Sequence, residues 1–381
     1  MIGKITRARI SFLLLAAALA LSIAGTRGRA AAPQANPAAQ TSKTAEQAFK
    51  NIQVLKDVPA DQILPAMQFI ATSLGVECEY CHVKNAFEKD DKDAKVTARK
   101  MMLMMFAANN QTFDGKREVT CYTCHRGSTD PVGTPVIPET EPKPITEVPE
   151  TPAENLPKAN QIIDKYVEAL GGKNAIESVS SRVEKGTLVA GETKLPVEVL
   201  DKAPDKRITI VHMPNGDNST AFDGHVGWLG APGHPAHQMT AAEADNVRLD
   251  ADLHFAADLT QLFHNFRVHG EEKIDGNDVY ALYALNEGKP PVHLYFDAKS
   301  GLLVRMVRYI DTPLGRNPAQ IDYADYRDAG GVKVPYRWTI ARPSGRFTIQ
   351  VDELKQNVPV DDAKFVMPPP PPAPPEGQKN P

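Results

Sequence analysis

The four cysteines of the chain fall in two pairs, each followed at once by histidine: Cys78-Glu79-Tyr80-Cys81-His82 and Cys121-Tyr122-Thr123-Cys124-His125. Two thiols at this spacing can add across the two vinyl groups of one porphyrin. The adjacent histidine then sits beneath the iron, and Cys-x-x-Cys-His is the attachment pattern of c-type haem. A four-cysteine zinc site wants about 15–20 residues between its pairs, and the gap here is much longer. Cys-x-x-Cys pairs also close redox disulfides, but that chemistry has no use for a histidine at the same offset twice. The motifs predict two covalent haems c, bonded through Cys78, Cys81, Cys121 and Cys124, with iron bound by His82 and His125.

Each iron needs a sixth ligand, and methionine or a second histidine are the usual choices. His82 and His125 are the only histidines before His212, which leaves methionine as the candidate in this part of the chain. Met67 lies on an apolar face just ahead of the first motif. Methionines 101, 102, 104 and 105 crowd the segment ahead of the second. Met101 shares a face with Met105 at i, i+4 and with Met104 at i, i+3, and only one of them can reach an iron. A methionine on an apolar face is more often plain core. The missing histidine favours Met67 for the first iron and leaves the methionine of the second open.

The elements that position these residues read as helices. Thr44 can cap a helix running to about Lys56. A second helix starts near Asp61, carries Ile63, Met67, Ile70, Ala71 and Leu74 at helical spacing, and ends at Gly75 in a left-handed cap. A third spans about Ala94 to Ala108, with Asn109 and Asn110 as stop residues. Residues 44–129 thus form an all-α dihaem unit.

The rest of the 381 residues divides by composition. Residues 1–32 read as a cleaved secretory signal: Lys4, Arg7 and Arg9, an apolar run, then Ala30, Ala31 and Ala32. The alternative is an uncleaved membrane anchor. Residues 33–43 are a small, polar spacer, 130–157 a Pro-rich linker, and 368–381 a Pro-rich tail. Residues 158–367 open with a helix, Lys158 to Leu170, stopped by Gly171-Gly172. Strand-like runs follow at 182–189, 195–200, 207–212, 219–228, 279–285, 292–297, 302–310, 319–327, 334–341 and 346–354, interrupted by a helical stretch at 246–263. Short strands joined by tight turns predict a curved antiparallel sheet or partial barrel. The fold class is therefore multidomain, an all-α cytochrome unit followed by an α+β unit. His234-Pro235-Ala236-His237 reads as a loop, since a metal site needs three or four convergent ligands. His254, His264 and His269 read as ordinary surface or cavity residues. A net charge of −4 gives no basic face for nucleic acid.

The run MQFIATSLGVECEYCH (67–82), the following ARKMMLM helix and VTCYTCHRG (119–127) resemble the cytochrome c subunit of photosynthetic reaction centres. That family repeats a helix, a turn and Cys-x-x-Cys-His, with the axial methionine on the helix. The resemblance implies Met67 and Met101 as ligands, with Met104 as alternative. The family carries four haems and this chain has two motifs. The closing run, Lys333 to Pro368, is similar to the outer-membrane lipoprotein carrier family. It implies a curved sheet wrapped over helices around an apolar cavity, serving as a scaffold, a docking surface or a site for an apolar ligand.

The function expected is one-electron transfer in the periplasm, with His/Met-ligated haems and periplasmic or membrane-bound redox partner proteins. A peroxidase-like haem enzyme and a carrier of apolar ligands are the alternatives.

Overall fold

The computed structural model describes residues 43–131, 133, 156–343 and 345–369. The expected signal, most of the linker and the tail from residue 370 lie outside these. The described residues form one compact unit, so the cysteine-motif segment and the strands pack together.

The motif segment holds four helices: α1 (Ala45–Ala48), α2 (Ile63–Leu74), α3 (Asp93–Thr112) and α4 (Cys121–His125). Thr44 precedes α1 and its N–H donates to Gln47 Oε1 at 3.1 Å, though its hydroxyl makes no cap bond, and the helix does not continue to Lys56. Asn51 and Leu55 adopt left-handed conformations, and the chain doubles back so that Ala45 N–H donates to the Val58 carbonyl at 2.7 Å. Helix α2 matches its expected bounds, and Gly75 caps it at φ 68°. Helix α3 runs past Asn109 and Asn110. Asn109 is buried, and its amide is engaged by the neighbouring segment: Nδ2 donates to the Val119 carbonyl at 2.8 Å and Oδ1 accepts Val119 N–H at 2.9 Å. An asparagine used this way has no reason to terminate its helix.

Helices α5 (Ala159–Leu170) and α6 (Lys173–Glu177) precede the strands. The strands are β1 (Ser181–Ala190), β2 (Thr193–Lys202), β3 (Lys206–Met213), β4 (Gly216–Asp223), β5 (Gly227–Ala231) and β6 (His234–Gln238). After α7 (Ala241–Ala251) and α8 (Phe255–Leu262) come β7 (Asn265–Ile274), β8 (Asn277–Leu285), β9 (Val292–Asp297), β10 (Leu303–Asp311), β11 (Arg316–Ala329), β12 (Val332–Arg342) and β13 (Gly345–Gln356). All thirteen form one sheet in the order β6-β5-β4-β3-β2-β1-β13-β12-β11-β10-β9-β8-β7, with antiparallel pairing throughout. The sheet is open, with β6 and β7 as its edges.

Three expectations need correction. The single strand 219–228 is two, because the Asp223 carboxylate accepts His225 and Val226 N–H at 2.8 and 2.7 Å and turns the chain. The helix 246–263 is also two, interrupted where the Asp252 carboxylate accepts His254 N–H at 3.0 Å. The His234-to-His237 segment is an edge strand, where Pro235 is tolerated, and β7 completes the opposite edge.

The main core lies between α5, α6, α8 and the strands from β7 to β12. A separate cluster joins the motif segment to the sheet: Ala66 and Phe69 of α2, Met102 and Met105 of α3, and Leu314 from the β10–β11 turn. That turn reaches into the helices. Arg117 pairs with Asp311 at 2.9 Å and also donates to the Thr312 carbonyl, and Asn317 donates to the Pro65 carbonyl at 3.2 Å.

Candidate haem-binding site

Helix α2 presents three faces. Ala66, Phe69 and Ser73 are buried. Leu64 and Gln68 are exposed. Ile63, Met67, Ile70, Ala71 and Leu74 are half-buried, an apolar stripe of the kind that covers a flat apolar group. The left-handed turn at Gly75 then lets the chain reverse into the first motif. That turn is also pinned to the second motif. Gly127 N–H donates to the Ser73 carbonyl at 2.8 Å, and a Cβ on Gly75 would meet the Gly127 carbonyl oxygen at 2.3 Å.

The first motif forms a single turn, Cys78–Tyr80, with His82 N–H donating to the Cys78 carbonyl at 3.0 Å. The second forms α4, capped by Thr120, whose N–H donates to Thr123 Oγ1 at 2.9 Å. None of the four cysteines is in a disulfide, so the four sulfurs are free for thioether bonds. Burial pushes the Cys81 and Cys121 thiols up, with Lys92 pulling Cys81 the other way. Among the described residues, no three His, Cys, Asp or Glu side chains converge to hold a metal ion.

Both motif histidines are oriented through their backbone. His82 Nδ1 lies 3.0 Å from the Phe87 carbonyl. His125 Nδ1 lies 2.9 Å from the Ser128 carbonyl. A carbonyl can only accept, so each Nδ1 carries the proton, and each Nε2 keeps its lone pair. That is the tautomer a metal-binding imidazole needs, fixed by its outer hydrogen bond.

The loop between His82 and α3 is braced by Asp90, whose carboxylate accepts from Arg99 at 2.9 Å, Asn51 at 3.0 Å and Gln53 at 3.3 Å. Arg99 and Asn51 hold that carboxyl well below the usual range. Lys95, almost fully buried, donates to the Phe87 and Lys89 carbonyls, both at 2.7 Å. Sequence reasoning gave Lys95 and Asp90 no role and took Asn109 for a helix stop. Lys95 and Asn109 act through backbone carbonyls and N–H groups, and Asp90 through side chains of a distant loop and of α3, none of which leaves a local motif.

Of the methionines ahead of the second motif, Met102 and Met105 are core, Met101 is half-buried and Met104 is 59% exposed. Tyr80, Phe87, Leu103 and Tyr122 are large apolar or aromatic side chains left exposed in the motif segment. Two porphyrins bonded to the cysteines suit such surfaces, so the residues present fit the cofactor that the motifs imply.

Residues 20–198 match the family described as photosynthetic reaction centre cytochrome C subunit. The resemblance read from the motifs holds. The photosynthetic reaction center cytochrome c subunit of Thermochromatium tepidum is 37% identical over 116 residues, 28% of this chain and 29% of that protein. Cytochrome c-554 of Chloroflexus aurantiacus is 35% identical over 85 residues, 20% of each chain. This chain thus spans less than a third of the length of these relatives. Over the strands, the chain is similar to a LolA superfamily protein from Nitrosomonas europaea, with 16% identity and a TM-score of 0.39, covering 55% of this chain and 98% of that one. A DUF1329 family protein from Desulfovibrio piger gives 13% identity and a TM-score of 0.40 over 54% of this chain and 96% of that one. Among the described residues no helix is long and apolar enough to cross a membrane.

Proposed function

We propose that the protein is an exported dihaem c-type cytochrome that passes single electrons between redox partner proteins in the periplasm or at its membrane. The observation that carries this reading is the matched pair of motif histidines, each with Nδ1 held by a backbone carbonyl and Nε2 left to bind iron. When bound, the haems supply one-electron Fe(III)/Fe(II) chemistry, and the chain tunes their potentials through ligands, hydrogen bonds and burial.

Cys78 and Cys81 hold the first haem, with His82 and Met67 as axial ligands. Cys121 and Cys124 hold the second, with His125 and Met101. Met101 is preferred to Met104 because its side chain is half-buried, whereas Met104 is exposed to solvent. The Ser73–Gly127 hydrogen bond ties the first motif's helix to the second motif and keeps the two sites in a fixed relation.

Pyridine haemochrome analysis with intact-mass measurement of protein purified from the periplasm tests the proposal. Two haems per chain are expected. One or none would overturn the assignment, and rapid carbon monoxide binding to the native ferrous protein would shift it to a haem enzyme with an open iron.

A further inference from the structure

A cavity of about 770 Å³ opens between the inner face of the sheet and helices α2 and α7. Its size is that of a cofactor-sized or drug-sized ligand site. One wall is apolar: Leu188, Val211, Trp338, Ile340, Phe347 and Ile349. Another is given by Leu64, Pro65, Gln68 and Thr72, which lie on the same helix as Met67.

Between these walls runs a buried polar layer. Arg207 donates to Asp201 at 2.8 Å, and Arg308 grips Asp250 through two bonds of 2.8 and 2.6 Å. Glu184, on the cavity wall and 3% exposed, has no hydrogen-bond partner for Oε2. Asp201 Oδ2 and the Nε atoms of Arg182 and Arg308 are likewise unpartnered. Buried polar atoms without partners are costly, so the layer offers a ligand both acceptors and donors.

The pairing limits the guest's chemistry. Arg207 and Arg308 already have their carboxylates, and Arg182, Arg342 and Lys333, the other cations of the wall, are matched in number by Glu184, Glu243 and Asp252, so the wall carries no surplus positive charge for a lipid phosphate. A neutral head with oxygens that both donate and accept suits Glu184 and its neighbours, and an apolar body suits the opposite wall.

We propose that this cavity binds a quinone or its quinol, with the ring oxygen against Glu184. Resting on the dihaem reading above, we further infer that the bound quinol is oxidised by the two haems. The quinol loses two electrons and two protons as its two O–H bonds break. Haems held at the two motifs would supply the acceptors, one electron each, while one quinol proton goes to the Glu184 carboxylate and the other to water at the mouth of the cavity. Burial first, then the charge of Asp201, pushes the Glu184 carboxyl up to about 7, so it can donate to a quinone carbonyl or accept from a quinol hydroxyl near neutrality. The other titratable or charged groups around it are Arg182 on its own strand, Arg207 on β3, Asp250 on α7, Arg308 on β10 and Tyr166 on α5.

The test is calorimetric titration of the full-length holoprotein with decylubiquinone across pH 5.5–8.5, followed by stopped-flow mixing with decylubiquinol. One site per chain is expected, weakening by up to about tenfold per pH unit above neutrality. Glu184→Gln, whose amide still donates, should bind with no pH dependence and reduce the haems more slowly. Val211→Trp should abolish binding while leaving the visible spectrum unchanged. Absence of quinone binding in protein carrying two haems would overturn the site and leave the cytochrome reading intact. A chain without haem would overturn the electron step, while the titration still decides the site. Displacement of the quinone by a fatty acid or phospholipid would overturn the ligand class in favour of an acyl carrier.

Discussion

The ammonium of Lys95 and the imidazole of His82 converge on one acceptor, the Phe87 carbonyl, at 2.7 and 3.0 Å. His125 has no such competitor among the bonds described: its partner, the Ser128 carbonyl, lies at 2.9 Å. A carbonyl that already accepts from a cation is a weaker acceptor for the imidazole. The ring then has less anionic character and supports ferric iron less well. The positive charge acts in the same direction. The haem at His82 is therefore expected to have the higher potential, other ligands being equal. Lys95→Met should lower that potential and leave the His125 haem unchanged. A redox titration that resolves the two haems checks this, and equal shifts in both would count against the shared carbonyl as the cause.

The methionines ahead of the second motif separate by burial. Met101→Ala and Met67→Ala should each remove one near-infrared methionine-to-iron band. Met104→Ala, at a solvent-exposed position, should leave the spectrum unchanged. Met102→Ala and Met105→Ala should keep both bands and cost about 2–5 kcal/mol in urea denaturation, as large-to-small changes in a packed core do. Loss of a band in Met104→Ala and not in Met101→Ala would reverse the assignment.

The motifs, Gly75, and most strands were legible because each depends on local pattern: fixed spacing, a left-handed cap, or alternation between turns. What the sequence hid depends on partners far along the chain. Asn109 looks like a helix stop until Val119 is seen to occupy its amide. Lys95 and Asp90 look like surface charges in a polar stretch, because their partners are backbone atoms or come from another loop. The β6 segment reads as a loop because its proline and histidines lack apolar alternation, and an edge strand needs none. Glu184 sits in a strand next to charged residues, and only the sheet register places it inward, across from Val199.

Packing of the motif segment on the sheet depends on one small residue. A Cβ on Gly315 would come within 2.1 Å of the Phe69 ring, and Phe69 is itself buried between the helices and Leu314. Gly315→Ala must displace that ring, at a cost of about 1–3 kcal/mol or more. Arg117→Ala, which breaks a half-exposed ion pair with Asp311 and the hydrogen bond to the Thr312 carbonyl, should cost about 1–2 kcal/mol, the ion-pair share of it lost at high salt. Limited proteolysis should show the motif segment becoming accessible in Gly315→Ala well before it does in Arg117→Ala. Equal sensitivity would mean that the ion pair, rather than the Phe69 contact, holds the halves together.

Burial of Glu184 makes stability depend on pH in a defined direction. Its carboxyl is pushed from 4.5 up to about 7 in the folded protein, by burial first and then by Asp201, against the pull of Arg182 and Arg207. Below about pH 4.5 the group is protonated in both states and contributes nothing. As pH rises toward 7 the unfolded chain ionises while the folded one holds its proton. The unfolded state then binds fewer protons, and stability falls with pH. Above about 7 the loss is complete, roughly 3 kcal/mol for a shift of this size. Glu184→Gln removes the ionisation. Relative to wild type it should gain nothing at pH 4.5 and up to about 3 kcal/mol at pH 8, read from urea midpoints at matched pH. Parallel curves for the two proteins would mean that the carboxyl ionises without penalty in the fold, and would also remove Glu184 as a proton acceptor near neutrality.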